Sequence, residues 1–144
     1  MYNTVYNIAM CLMVLTIKFC ALFKKKMYYR EKGSKKVWRK LSIADKTAKY
    51  IWIHTASLGE FEQGRPIVEA IKEKNPEAKI LLTFFSPSGY EICKNYPLAD
   101  IVCYLPIDTP RNARRFVNAI QIEKAIFVKY EFWLNMLAEL RKRK

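Results

Sequence analysis

The sequence is poor in the residue types that build metal centres and disulfide frameworks. It contains one histidine, His54, and four cysteines that form no CxxC pair. No Cys or His stands close enough to His54 in the sequence to suggest a ligand set, which argues against a zinc site. We therefore expect no metal site, and we expect free thiols of the kind found in a reducing compartment.

Acidic residues are scarce near both ends of the chain, so the formal charge of +13 is unevenly placed. Residues 24–49 carry eleven Lys or Arg against two acidic residues, a net charge of +9. Residues 141–144 add +4 and Lys18 adds +1, whereas residues 50–140 hold ten basic and eleven acidic residues, a net charge of −1. A nucleic-acid-binding protein usually carries its charge on the folded surface, so we expect no nucleic-acid partner. A basic neck over residues 24–49, placed against an anionic membrane, fits this pattern better.

A long apolar run occurs only near the start, where Val5–Phe23 reads VYNIAMCLMVLTIKFCALF. The run is about as long as a membrane-spanning helix requires, and its one charge, Lys18, could snorkel toward the basic neck. A helix lying in the membrane interface is the open alternative, because Asn7, Thr16 and Lys18 weaken a span. The charge follows the apolar run rather than preceding it, which argues against a secretory signal. We predict a membrane-anchor helix over residues 1–23, with the N-terminus outside and the rest of the chain cytoplasmic.

After Tyr50 the chain alternates between strand-like and helix-like segments with short connections. Strands are expected at about 50–54, 79–85, 101–106 and 124–129, and helices at about 60–74, at 86–95, from Pro110 and from near Glu131. A serine or threonine followed by proline, as at 86–87 and 109–110, is typical of a helix start. Such alternation predicts an α/β, Rossmann-like domain over residues 50–144, built on a parallel sheet covered on both faces. The chain stops in RKRK without a C-cap signal, so the domain looks interrupted.

Four short elements follow the apolar run in a fixed order: HTASLGE, TFFSPSGYE, YLPIDTP and KYEFWLN. With them the chain resembles the N-terminal half of the 3-deoxy-D-manno-octulosonic acid (Kdo) transferases of lipopolysaccharide synthesis. The resemblance extends to about Leu140. It implies a GT-B glycosyltransferase that transfers Kdo from CMP-Kdo to the lipid A precursor, lipid IVA, at the cytoplasmic face of the inner membrane.

The resemblance also implies two domains that bind different substrates. In the family the N-terminal domain binds the acceptor and the C-terminal domain binds the nucleotide sugar, without a metal or other cofactor. The C-terminal donor domain is expected to be missing from residues 1–144, so we expect this chain to be inactive by itself. The alternative is a non-catalytic, membrane-tethered α/β module that binds an anionic lipid or a partner protein.

Glu60 is the first candidate catalytic residue, because it opens a helix directly after a predicted strand. Loops at the carboxyl ends of strands are where open α/β sheets bind ligands. The helix dipole and exposed amides favour an ionised carboxylate there, which can accept the proton of an attacking sugar hydroxyl. Ser57 and Gly59 are candidate substrate-binding residues that allow close approach to the backbone. The alternative is a capping box, in which Ser57 caps the helix and Glu60 is its partner.

Glu131 is the second candidate catalytic residue and also follows a predicted strand. It matches the family's glutamate before tryptophan, whereas the glutamate that the family usually has two residues earlier is replaced here by Lys129. That replacement puts a role for the earlier position in doubt. The alternative for Glu131 is an acidic residue stabilised by the dipole of a following helix.

The remaining candidates have weaker patterns. Ser86, Ser88 and Gly89 open a helix whose free amides could bind an anion such as a lipid phosphate, with plain capping as the alternative. Three arginines on the next helix are expected on a solvated face, with anionic head groups as the alternative; they are Arg111, Arg114 and Arg115. Three side chains near the strand ends are expected to pack or to hydrogen-bond near the core rather than to react; they are His54, Phe132 and Trp133.

Overall fold

The computed structural model describes residues 2–143, with side chains from residue 4 onward. The helices are α1 (Tyr2–Cys20), α2 (Lys25–Ser42), α3 (Leu58–Lys74), α4 (Pro87–Cys93), α5 (Pro110–Ala119) and α6 (Leu134–Arg141). The strands are β1 (Lys49–Thr55), β2 (Lys79–Phe84), β3 (Ile101–Tyr104) and β4 (Gln121–Phe127).

The four strands form one parallel sheet in the order β3-β2-β1-β4. Parallel neighbours joined by crossover helices are what the strand–helix alternation predicts, so the α/β prediction is confirmed. The core residue Trp52 of β1 packs against Phe116 of α5, with ring centroids 5.1 Å apart. Phe84 of β2 packs against Phe61 of α3, with ring centroids 5.7 Å apart. Side chains of both α3 and α5 therefore contact the sheet.

The basic segment 24–49, predicted as a neck, mostly forms the helix α2, which packs against the edge strand β3. Val37 and Leu41 on this helix are buried in the core. Two of its cations serve as internal hydrogen-bond donors: Arg30 Nη2 donates to the carbonyl oxygen of Leu105 (2.6 Å) and Lys40 Nζ donates to that of Val102 (2.6 Å). Two of the cations in the predicted membrane neck, Arg30 and Lys40, therefore hydrogen-bond to the backbone at the edge of the sheet.

The apolar segment near the start forms α1, which has two different faces. Its outward face carries apolar side chains that are 57–65 % exposed and follow a 3-4-3-4 spacing; they are Val5, Ile8, Leu12, Leu15 and Phe19. Its inward face is tied to the domain by polar contacts, because Tyr6 Oη donates to Asp108 Oδ2 (2.7 Å) and Asn135 Nδ2 donates to Asn7 Oδ1 (2.8 Å).

Among the described residues, no single helix combines the length and the apolarity that a membrane span needs. The segments Thr4–Cys20 and Lys25–Ser42 pass that test only as a pair, which is bent by 118° at the break between them.

The last helix begins later than the sequence predicts, at Leu134 rather than near Glu131. Lys129 adopts a left-handed backbone (φ 63°), which residues with a side chain rarely occupy and which interrupts regular structure after β4. The start of α6 is capped from a distance: the amides of Asn135 and Met136 donate to the two carboxylate oxygens of Asp108, each at 2.9 Å. Local sequence near Glu131 cannot show this cap, since Asp108 lies more than 20 residues earlier.

Candidate active site

The candidate site lies at the carboxyl edge of the sheet, where the ends of β1, β2 and β4 come together. The register places His54 of β1 beside Thr83 of β2 on one side and Phe127 of β4 on the other. The loop after β2 is held against the end of β1, because Ser86 N donates to the carbonyl oxygen of Ala56 at 2.7 Å. This is the edge at which parallel α/β sheets bind ligands.

Glu60 stands in the first turn of α3, and its carboxylate reaches back over the end of β1. The backbone N–H of Ala56 donates to Glu60 Oε2, while the Ser57 side chain makes no capping hydrogen bond. The predicted capping box is not formed, because Glu60 accepts from the amide of Ala56 rather than from that of Ser57, and Ser57 does not cap. Oε1 accepts no hydrogen bond from the described residues, so one carboxylate oxygen fixes the side chain and the other is free to take part in chemistry.

Gly59, beside Glu60, is exposed and faces open space. A Cβ added there would meet nothing within 4 Å. The backbone on this side of the α3 start is therefore accessible to a ligand, as the substrate-binding prediction requires.

Glu131 lies in the segment between β4 and α6, so it is not in the first turn of a helix. Its Oε2 is 3.5 Å from His54 Nε2, and its side chain is 21 % exposed. The hydrogen bond and the charge of His54 lower the pKa of Glu131 below its usual value, although partial burial opposes this. The alternative in which a helix dipole stabilises Glu131 is wrong for this structure, because the partner is His54.

His54 is fully buried and belongs to a chain of hydrogen bonds. Trp52 Nε1 donates to Thr83 Oγ1 (2.7 Å), and Thr83 Oγ1 lies 2.9 Å from His54 Nδ1. Trp133 Nε1 donates to His54 Nε2 at 3.2 Å. The prediction of a hydrogen-bonded histidine near the core is confirmed.

One nitrogen of His54 is thus shared between two partners. His54 Nε2 can accept from the indole of Trp133, in which case Nδ1 carries the proton and donates to Thr83. It can donate to Glu131 only when it carries a proton itself. The position of the ring proton therefore decides whether this nitrogen pairs with the indole or with the carboxylate.

Sequence reasoning missed the polar role of Trp133. Its indole N–H reaches His54, and its ring stacks on Phe85 with centroids 5.1 Å apart. Phe132, expected to pack, is 68 % exposed. The residues in contact with His54 are distant in sequence, so only the fact that buried tryptophans usually find an acceptor could have indicated this contact.

Ser86, Ser88 and Gly89 are occupied by local structure. Ser86 Oγ accepts from Ser88 N (3.3 Å) and lies 3.0 Å from Ser88 Oγ, which is the predicted alternative of plain capping. Gly89 is buried, and a Cβ there would lie 2.3 Å from Cδ1 of Phe84 and 3.1 Å from the backbone N of Leu58. Gly89 therefore lets α4 pack closely, and the described geometry gives no separate support for a substrate contact.

Both candidate carboxylates contact residues at the end of strand β1. Glu60 is held by Ala56, directly after β1, and Glu131 is held by His54, near the end of the same strand. The described residues contain no cluster of three His, Cys, Asp or Glu side chains suited to a metal ion. The arrangement offers Glu60, with one carboxylate oxygen not hydrogen-bonded by the described residues, and Glu131, whose pKa is lowered by its contact with His54.

Comparison of the sequence with known proteins shows the family to which the chain is similar. The sequence profile of the family described as "3-Deoxy-D-manno-octulosonic-acid transferase (kdotransferase)" matches residues 24–144. The 3-deoxy-D-manno-octulosonic acid transferase of Aquifex aeolicus (strain VF5) is 38 % identical over 88 residues, which cover 60 % of this chain and 24 % of the relative.

Two further relatives have similar coverage. The enzyme of the same name from Haemophilus influenzae is 36 % identical over 92 residues, 62 % of this chain and 21 % of the relative. A probable mitochondrial enzyme of that name from Arabidopsis thaliana is 31 % identical over 88 residues, 60 % of this chain and 20 % of the relative. The matched segment thus spans about a quarter or less of the length of these curated relatives.

Proposed function

Because the chain belongs to the 3-deoxy-D-manno-octulosonic acid transferase family, we propose that it forms the acceptor-binding part of a glycosyltransferase. The reaction moves Kdo from CMP-Kdo to the lipid A precursor, lipid IVA. The observation that carries the proposal is the pair of carboxylates held at one strand end, Glu60 by Ala56 and Glu131 by His54.

The two carboxylates are proposed to have different roles. Attack by a sugar hydroxyl on an anomeric carbon needs a base, and proton transfer is most effective when the pKa of the base is near the working pH. His54 lowers the pKa of Glu131, which makes Glu131 a poorer proton acceptor than an ordinary glutamate. We therefore assign proton removal to Glu60, whose Oε1 is free, and assign to Glu131 a fixed negative charge that orients the acceptor.

A chimeric enzyme tests this assignment. Residues 24–144 replace the matching segment of the Aquifex aeolicus relative, and transfer of Kdo from CMP-Kdo to lipid IVA is measured. Glu60→Gln should lower the rate of the chemical step by roughly 10²–10⁴-fold, the range typical of positioned proton transfer. Glu62→Gln is the matched control on the same helix, since Glu62 is exposed and pairs only with Arg65 among the described residues.

Near-normal transfer by the Glu60→Gln chimera would refute the base assignment. A correctly folded chimera that transfers no Kdo, although the chain binds anionic lipid, would instead favour the non-catalytic membrane module.

The membrane contact is proposed to run through the outward face of α1. Five apolar side chains on that face are 57–65 % exposed, and lysines follow directly at 24–26. An apolar helix face next to basic residues is typical of a helix lying in the interface of an anionic membrane. The domain would then sit on the cytoplasmic face of the inner membrane, where the lipid acceptor is reached.

Vesicle flotation tests this contact. Leu12→Ser with Leu15→Ser should weaken binding to anionic vesicles by roughly tenfold or more per leucine, since burying each one contributes about 1.5–3 kcal/mol. Ile92→Ser is the control, because Ile92 is equally exposed but lies on α4. Equal losses in both variants would argue against α1 as the membrane contact.

A further inference from the structure

A large cavity lies away from the candidate active site, in a groove between α2 and α5. Its volume is about 710 Å³, within the range of ligand pockets. Trp38 and Leu41 line its α2 side, and Arg111, Arg114 and Arg115 line its α5 side.

The groove holds a cluster of cations and no acidic residue. Arg111, Arg114 and Arg115 are exposed, and within residues 4–143 none of the three pairs with a carboxylate. Arg115 lies over the ring of Trp38, with its guanidinium carbon 4.0 Å from the ring centroid. Like charges gathered on a partly apolar wall repel one another, and a bound anion would relieve that repulsion. Guanidinium groups pair well with phosphate because they can donate two parallel hydrogen bonds.

The groove also lies near the apolar helix α1. A small cavity of about 130 Å³ shares Trp38 as a wall with the groove. This cavity is lined by Val14 and Ile17 of α1 together with polar side chains, among them Arg30 and Glu31. A ligand with a phosphate in the groove can therefore place an apolar chain toward α1, which a free phosphate cannot do.

We propose that the groove between α2 and α5 binds the phosphate head group of an anionic glycerophospholipid. Arg114 and Arg115 pair with the phosphate, and Trp38 packs beside the glycerol and the start of the acyl chains. The inference rests on the membrane contact proposed for α1, but not on sugar transfer. It gives the domain a specific attachment point on the membrane, separate from the carboxylates at the sheet edge.

A short-chain lipid below its critical micelle concentration tests the site without a membrane. The 144-residue chain is titrated with dihexanoyl phosphatidylglycerol while the tryptophan indole N–H signals are followed by NMR. Trp52 and Trp133 serve as internal references, since their indoles bond to Thr83 and His54. The signal of Trp38, assigned with a Trp38→Phe variant, should shift and saturate, whereas dihexanoyl phosphatidylcholine should shift it far less.

Two double variants separate a site from general charge attraction. Arg114→Gln with Arg115→Gln should weaken binding by about tenfold or more, because the paired guanidinium groups are lost. Lys32→Gln with Lys36→Gln removes the same charge from the side of α2 that faces α4 and should change binding little.

Three results would overturn the proposal. Equal weakening by the two double variants would mean charge attraction without a site. Competition by inorganic phosphate at the same concentration as the lipid would assign the groove to soluble phosphate. A shift of the Trp52 or Trp133 signal without one of Trp38 would place the lipid elsewhere. Because no sugar donor is present, none of these results bears on the transfer reaction.

Discussion

Replacing Asp108 by alanine should weaken the attachment of α1 and α6 to the rest of the fold. Asp108 is fully buried and accepts three hydrogen bonds, from the hydroxyl of Tyr6 and from the amides of Asn135 and Met136. The variant leaves all three donors without this acceptor. Because the donors belong to α1 and to the start of α6, one side chain joins two helices that are distant in sequence.

The expected cost can be worked out from these contacts. Loss of the helix cap costs about 0.5–2 kcal/mol, and loss of the Tyr6 bond to a charged group costs about 1.5–3 kcal/mol. Part of this is returned, because burial raises the pKa of Asp108, which shows that the ionised carboxyl is held there at a cost. We expect a net loss of about 2–4 kcal/mol in the free energy of unfolding.

Urea denaturation at constant detergent concentration measures the loss, and a double-mutant cycle assigns it. Tyr6→Phe should remove only the hydroxyl bond, and its effect should largely vanish in the Asp108→Ala background. Asp45→Ala is the control, since Asp45 is exposed and its carboxylate accepts from the neighbouring turn residue Thr47. A loss below about 0.5 kcal/mol, the usual range for surface substitutions, would refute the reasoning, as would simple additivity of Tyr6→Phe and Asp108→Ala.

Two further predictions concern the sheet edge. Glu131→Gln should flatten the acid limb of the melting temperature against pH: since His54 lowers the pKa of Glu131, its stabilisation is complete above the unfolded-state pKa and is lost as pH falls through the folded-state value. An unchanged acid limb would contradict the pairing. Gly89→Ala should cost about 1–3 kcal/mol through the clash with Phe84, whereas Gly59→Ala, which meets open space, should not destabilise. Urea midpoints that fall equally in both variants would contradict this difference.

Local sequence signals predicted much of the fold because they act over a few residues. Serine or threonine followed by proline places the starts of α4 and α5, and in the structure Ser86 and Thr109 do cap these helices. The alternation of strands and helices predicts the parallel sheet, since crossover connections leave few other topologies.

The parts that sequence did not predict depend on distant contacts. In the sequence, residues 24–42 resemble a solvated basic segment. The structure explains why, since it buries only three residues of α2, which are Arg30, Val37 and Leu41. The partners of Arg30 and Lys40 are carbonyl groups 75 and 62 residues later. No local pattern shows that a lysine will donate to a strand rather than to water.

The candidate site shows the same difference between features set by local sequence and features set by distant contacts. Glu60 was predicted from a helix start, which is local, and its contact with Ala56 spans four residues. Glu131 is predicted as a catalytic residue, with a helix-terminal acid as the alternative, and neither prediction names its partner His54, which is set by the register of β1 against β4. Strand register is fixed by packing of the whole sheet and is not written in either segment alone.

The hydrogen bonds from α2 to β3 have a practical consequence for truncation. A soluble version that begins at Tyr50, where the strand–helix alternation starts, would remove Lys40 and Arg30 together with the buried Val37 and Leu41. An uncovered edge strand is a template for pairing with another chain, so such a version should aggregate. A cut between α1 and α2, near Lys24, removes the exposed apolar face and leaves the sheet edge covered.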